Sequence, residues 1–150
     1  MVKRSFVFAF LAAVLVLAMM ELGRAQARRL PSNRELVSRA QSVYVESDTF
    51  YMKRENLESS LLGRDEFKAW EMQITEKPEV ADLLVRVRRV LFTNHFIYTV
   101  TDRATDTVVM AGKVDSLAGT VYGLIADEIM HKMKVFRGDP LATQADVKKP

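Results

Sequence analysis

Ala81-Asp82-Leu83-Leu84-Val85-Arg86-Val87-Arg88-Arg89, Phe96-Ile97-Tyr98-Thr99-Val100-Thr101 and Thr107-Val108-Val109-Met110-Ala111-Gly112-Lys113-Val114 decide how this chain folds. Each run alternates apolar and polar side chains, the period of a strand with one buried face. Leu83, Val85 and Val87 share one side of the first run, and Leu84, Arg86 and Arg88 the other. Arg89 interrupts that alternation, so a bulge or strand end is expected near Arg88-Arg89. Thr93-Asn94-His95 and Asp102-Arg103-Ala104-Thr105-Asp106 are rich in turn formers, which makes the three runs successive hairpin strands. In the last run Val108, Met110 and Val114 are expected on one face.

Upstream, Val43 and Val45 alternate with Tyr44 in a strand over residues 42–46. Ser47-Asp48-Thr49 can cap a helix over residues 51–62, where Leu57 and Leu61 lie on one face. Gly63 offers a left-handed stop. Trp70, Met72 and Ile74 alternate with Glu71, Gln73 and Thr75, which predicts a strand over residues 69–75. Downstream, Ser116 can cap a final helix whose stripe is Val121, Tyr122, Ile125, Ile129 and Met133, with Lys132, Lys134 and Arg137 toward its C-terminus. The order is β-α-β-β-β-β-α. It implies an α+β two-layer sandwich, a five-stranded mixed sheet with two helices on one face. The other face should be wet and carry Glu71, Gln73, Arg86, Arg88, Thr99, Thr101 and Lys113.

The N-terminus has a different character. Lys3 and Arg4 precede the 15-residue apolar run 6–20, and Ala25-Gln26-Ala27 follows. This is the pattern of a secretory signal peptide, 1–27, cleaved after Ala27. The alternative is an uncleaved membrane anchor, although a spanning helix needs roughly 20 apolar residues. Residues 28–41 read as a linker with room for a helical turn at its end, 42–137 as the α/β domain and 138–150 as a flexible tail. The chain has no Cys, so neither disulfides nor a lipid-modified cysteine can hold or tether it. A periplasmic or secreted location fits.

Charge argues against a nucleic-acid partner. The formal net charge is +3, but Lys3, Arg4 and Arg24 against the single Glu21 precede residue 28, which leaves +1 for the rest. That is no footprint for a polyanion.

The strand-helix pattern resembles a family of bacterial envelope modules: the N-terminal domain of the translocation protein TolB and the related CsgG and LpoB domains. The residues that carry the likeness are Val43-Tyr44-Val45, Leu57, Leu61-Leu62, Phe67, Trp70-Glu71-Met72-Gln73-Ile74, Ala81-Asp82-Leu83-Leu84-Val85, and the Asp102 to Thr105 turn before a closing helix. They span residues 42–136. The resemblance implies a non-enzymatic module that binds an envelope protein or cell-wall polymer, and membrane contact only through the signal segment. It transfers no individual site residue.

Chemistry is sparse. His131 lies three and four residues after Glu128 and Asp127, a spacing open to metal ligation, but the group falls off the core stripe and lacks a third ligand. His95 sits in a turn with no nucleophile beside it in sequence. No Gly-x-Ser-x-Gly, phosphate loop or dinucleotide fingerprint occurs, so neither an enzyme nor a cofactor is expected. Two surfaces stand out. Arg86, Arg88, Arg89 and Lys113 form a basic stripe suited to an acidic partner. Gly119, Gly123, Ala126 and Met130 form a small-residue flank placed opposite the core stripe, suited to close helix packing. Met52, Met72, Met110 and Met133 support an alternative function, a carrier of a small apolar ligand between helices and sheet.

Overall fold

A long helix and three hairpin strands dominate the computed structural model, which describes residues 30–116 and 120–138. The described residues from Ser32 onward belong to one compact unit, whose architecture is given below. The expected signal peptide and the tail from residue 139 lie outside the described residues.

The described elements are α1 (Asn33–Arg39), β1 (Ser42–Ser47), α2 (Arg54–Leu62), α3 (Asp65–Ala69), β2 (Gln73–Ile74), a 3-10 turn (Pro78–Val80), β3 (Leu83–Arg89), β4 (His95–Asp102), β5 (Thr107–Asp115) and α4 (Val121–Arg137). The strands form one mixed sheet in the order β2-β1-β3-β4-β5. β1 runs parallel to both β2 and β3, while β3–β4 and β4–β5 are antiparallel. The α2–α3 segment is the crossover that a parallel β1–β2 pair requires. The α+β two-layer arrangement with a five-stranded mixed sheet is therefore present. It carries two more helices than the pattern suggests.

One contiguous core lies between the helices and a single sheet face. Val43, Val45, Leu83, Val85, Val87, Phe96, Tyr98, Val100 and Met110 from the sheet meet Leu36, Val37, Leu57, Leu61, Phe67, Ile125, Ile129 and Met133 from the helices. Met52, Met72, Met110 and Met133 are all buried members of that core.

Several local expectations are corrected. Residues 28–41 are no plain linker: α1 is closed by a capping box, in which Ser32 Oγ accepts from Glu35 N–H and the Glu35 carboxylate accepts from Ser32 N–H at 2.7 Å. Leu36 and Val37 on its inner face are fully buried. α2 begins at Arg54, because Ser47 and Thr49 serve the loop instead of capping. Ser47 Oγ donates to Met52 C=O at 2.6 Å, and Tyr51 N–H donates to Thr49 Oγ1 at 3.2 Å. Gly63 stays right-handed at φ −72°. The expected strand 69–75 shrinks to two residues. α3 takes its start, and Glu71 adopts φ 53°, which breaks the extended run.

Of the bulge or strand end expected near Arg88-Arg89, the strand end is present, since β3 stops at Arg89 paired with Phe96; the ladder irregularity itself lies between Val100 and Thr101. It reverses the phase of β5, so Val108 is 53% exposed while Val109 and Met110 are both buried. Thr120, not Ser116, precedes α4, and Gly138 closes it in the left-handed region at φ 85°.

Candidate binding surface

Register places the basic candidates. Arg88 pairs with Ile97, and Ile97 with Lys113; Glu46, Arg86, Thr99 and Ala111 form the neighbouring row. Successive strand residues point to opposite sides, and the partners of these rows in sequence, such as Val45, Val85, Val87 and Val100, are buried in the core. The rows therefore occupy the face away from the helices. A third row, Tyr44, Leu84, Thr101 and Val108, adds apolar area to it. No described helix packs along this face; only the Arg54 side chain, at the start of α2, reaches over its edge to the Tyr44 ring, 5.4 Å away.

Its charges are partly matched. Arg86 Nε lies 2.8 Å from Glu46 Oε2, and that bond holds the guanidinium above its ordinary pKa. Lys113 Nζ stands 3.7 Å from Asp115. Arg88 is exposed on the same side as Arg86.

Arg89 is a correction. With no bulge before it, it points to the side opposite Arg88. Its guanidinium donates to Thr93 C=O at 2.7 Å and stacks 3.9 Å from the Tyr51 ring. The small-residue flank is a second correction. Ala126 and Met130 are buried in the core, because α4 lies between α1 and α2 and needs a wider apolar arc than a stripe against the sheet alone. Gly123 is half-buried, and its C=O accepts from Arg64 at 3.2 Å. Gly119 lies outside the described residues.

Cross-strand pairing also creates contacts that spacing could not reveal. His95 opens β4, and its Nδ1 pairs with Asp115 on the last position of β5. The ring is thereby oriented at the margin of the open face. Asp127 pairs with Arg64, and Glu128 with Lys132 at 2.9 Å. Among the described residues no three His, Asp or Glu side chains are grouped to hold a metal ion. Tyr98 is fully buried beside Glu128; burial, then the Glu128 charge, drives its phenol far above the ordinary range.

A cleft of about 520 Å³ at the opposite end of the sheet is lined by Arg39, Asp82, Asp102 and Arg103. Both of its aspartates hold the backbone together. Asp82 accepts from Gln41 N–H at 2.8 Å and Ser42 N–H at 2.9 Å, and Asp102 accepts from Thr105 N–H at 2.9 Å. Among the described residues no helix is long and apolar enough to cross a membrane.

The outstanding feature among the described residues is thus an open β face carrying Arg86, Arg88 and Lys113 among Tyr44, Leu84, Ile97 and Val108. No protein-family model, no curated protein and no solved structure matches this chain.

Proposed function

We propose that this chain is an exported, non-enzymatic module whose open sheet face binds another component of the cell envelope, a protein or polymer of acidic character. The observation that carries the reading is the pair of adjacent rows, Arg86–Thr99 and Arg88–Ile97–Lys113, on a face along which no described helix packs. The basic-apolar N-terminal segment supports export. The likeness to TolB-type envelope modules agrees with a binding role, and the engagement of Asp82, Asp102, Asp127 and Glu128 in structural contacts leaves them poorly placed for chemistry.

Photo-crosslinking in cells tests this. A photoreactive amino acid at Thr99, in the middle of the open face, should give a discrete adduct. The same group at Leu124, exposed on the outer side of α4, should not. Adding R86E and R88E should abolish the Thr99 adduct without lowering the amount of folded protein. Equal labelling at Thr99 and Leu124, or a Thr99 adduct indifferent to the charge reversal, would remove the open face from the function.

A further inference from the structure

Four large apolar side chains stand in water at one end of the sheet. Phe50 is 106% and Tyr51 71% exposed in the β1–α2 loop; Leu91 is 79% and Phe92 102% exposed in the β3–β4 hairpin. A single exposed Leu calls for no explanation, but four such groups together do.

The two loops form one tip. β1 and β3 are parallel neighbours, so both loops leave from the same end of the sheet. Asp48 N–H donates to Val87 C=O at 2.9 Å, which ties the first loop to β3. The Arg89 guanidinium, fixed by Thr93 C=O, stacks on Tyr51 and joins hairpin to loop. The loops are also held from beneath. Met52 is buried under the first, and Thr93 Oγ1 donates to Val90 C=O at 2.9 Å in the second. Phe92 takes φ 61°, a left-handed conformation unfavourable for a bulky residue, at the point of the turn.

We infer that this tip inserts into the interfacial layer of an anionic phospholipid bilayer. Three observations favour a bilayer over a protein groove. Leu91 and Phe92 stand out from a hairpin turn almost wholly in water, and Phe50 stands at the rim of an open cleft of about 580 Å³ whose other lining is polar apart from Met52. The exposed groups are aromatic and aliphatic side chains of the kind that settle at headgroup depth. Within residues 48–55 and 88–95, Lys53, Arg54, Arg88 and Arg89 outnumber Asp48 and Glu55. Basic residues at the foot of an apolar point are attracted to anionic headgroups. The tip is a different surface from the centre of the open face. Loss of either reading leaves the other standing, since their tests probe different positions.

The absence of Cys permits a single dye at any chosen position. The full chain carrying Leu91→Cys with an environment-sensitive dye is reconstituted in vesicles of phosphatidylcholine and phosphatidylglycerol containing brominated lipid. The comparison position is Ala104→Cys in the β4–β5 hairpin, exposed at the other end of the sheet. The dye at 91 should be quenched several-fold more than the dye at 104. Replacing phosphatidylglycerol by phosphatidylcholine should weaken that quenching. Phe50→Ser with Phe92→Ser should lower it to the level at 104 while leaving the unfolding transition unchanged, because both side chains are already in water. Equal quenching at 91 and 104, or quenching untouched by the double substitution, would overturn the inference. So would lipid-free self-association that the same double substitution abolishes, since the tip would then serve a second copy of the chain.

Discussion

Asp102 is a charged residue only 2% exposed, and its surroundings explain how it stays ionised. Burial pushes its carboxyl up, but the Thr105 hydroxyl at 2.8 Å, the Thr105 N–H and the Arg39 guanidinium together outweigh burial and hold it below the usual carboxylate range. A depressed folded-state pKa stabilises the fold above the unfolded value of about 3.9, and that contribution fades as pH falls through the folded value. D102N should therefore cost about 1–3 kcal/mol at pH 7. The gap from the native chain should narrow below about pH 4, read from urea midpoints at both pH values. Gly112 illustrates the opposite constraint, one of space. A Cβ there would come within 2.5 Å of both Glu128 Oε1 and Tyr98 Cε1. Glu128 can swing aside, but the Tyr98 ring is locked in the core. G112A should cost about 1–3 kcal/mol, with an unchanged denaturant slope.

Among the elements, α1 separates a linker from a structural member. A linker tolerates loss of an apolar side chain; a helix whose Leu36 is 0% exposed does not. L36A should destabilise the domain by about 2–5 kcal/mol in equilibrium unfolding, and a shift no larger than about 0.5 kcal/mol would return residues 33–39 to linker status. The capping box that builds α1 was visible as Ser32 and Glu35, but the surrounding polar residues disguised it. The alternation in β3 and β4 was legible because each strand has one buried face. The segment 69–75 was not, since its even alternation is interrupted by the positive φ at Glu71, a feature of the backbone rather than of residue type. The β5 phase was lost for a related reason: a bulge is a property of two strands in register, and only one can be read at a time. The candidate site divides the same way. Period alone put Arg86, Arg88 and Lys113 on one face. Bringing Arg88 within a row of Lys113, or His95 onto Asp115 across 20 residues, required the ladder.

At the largest scale the described residues form a sheet with one covered face and two edges, and an edge strand is a template for pairing with another chain. β2 is only two residues long, too short to template another strand, but β5 is a nine-residue edge. Two side chains guard it. Lys132 Nζ donates to Ala111 C=O at 2.6 Å, and Asn33 Nδ2 donates to Val109 C=O at 3.2 Å. Both carbonyls lie in the middle of β5 and accept these bonds from α4 and α1, the elements flanking the edge. A strand added at β5 would first have to displace both donors, so the guard works against strand-to-strand growth at this edge. Removing the guard with N33A and K132A should expose the edge. Sedimentation velocity should then show more association than the native chain at the same concentration. Amide exchange across Thr107–Asp115 should slow in the associated form, because an incoming strand would protect those N–H groups. If sedimentation is unchanged in the double variant, these two bonds are ordinary surface contacts, and the edge must be protected by its twist or by the residues flanking it.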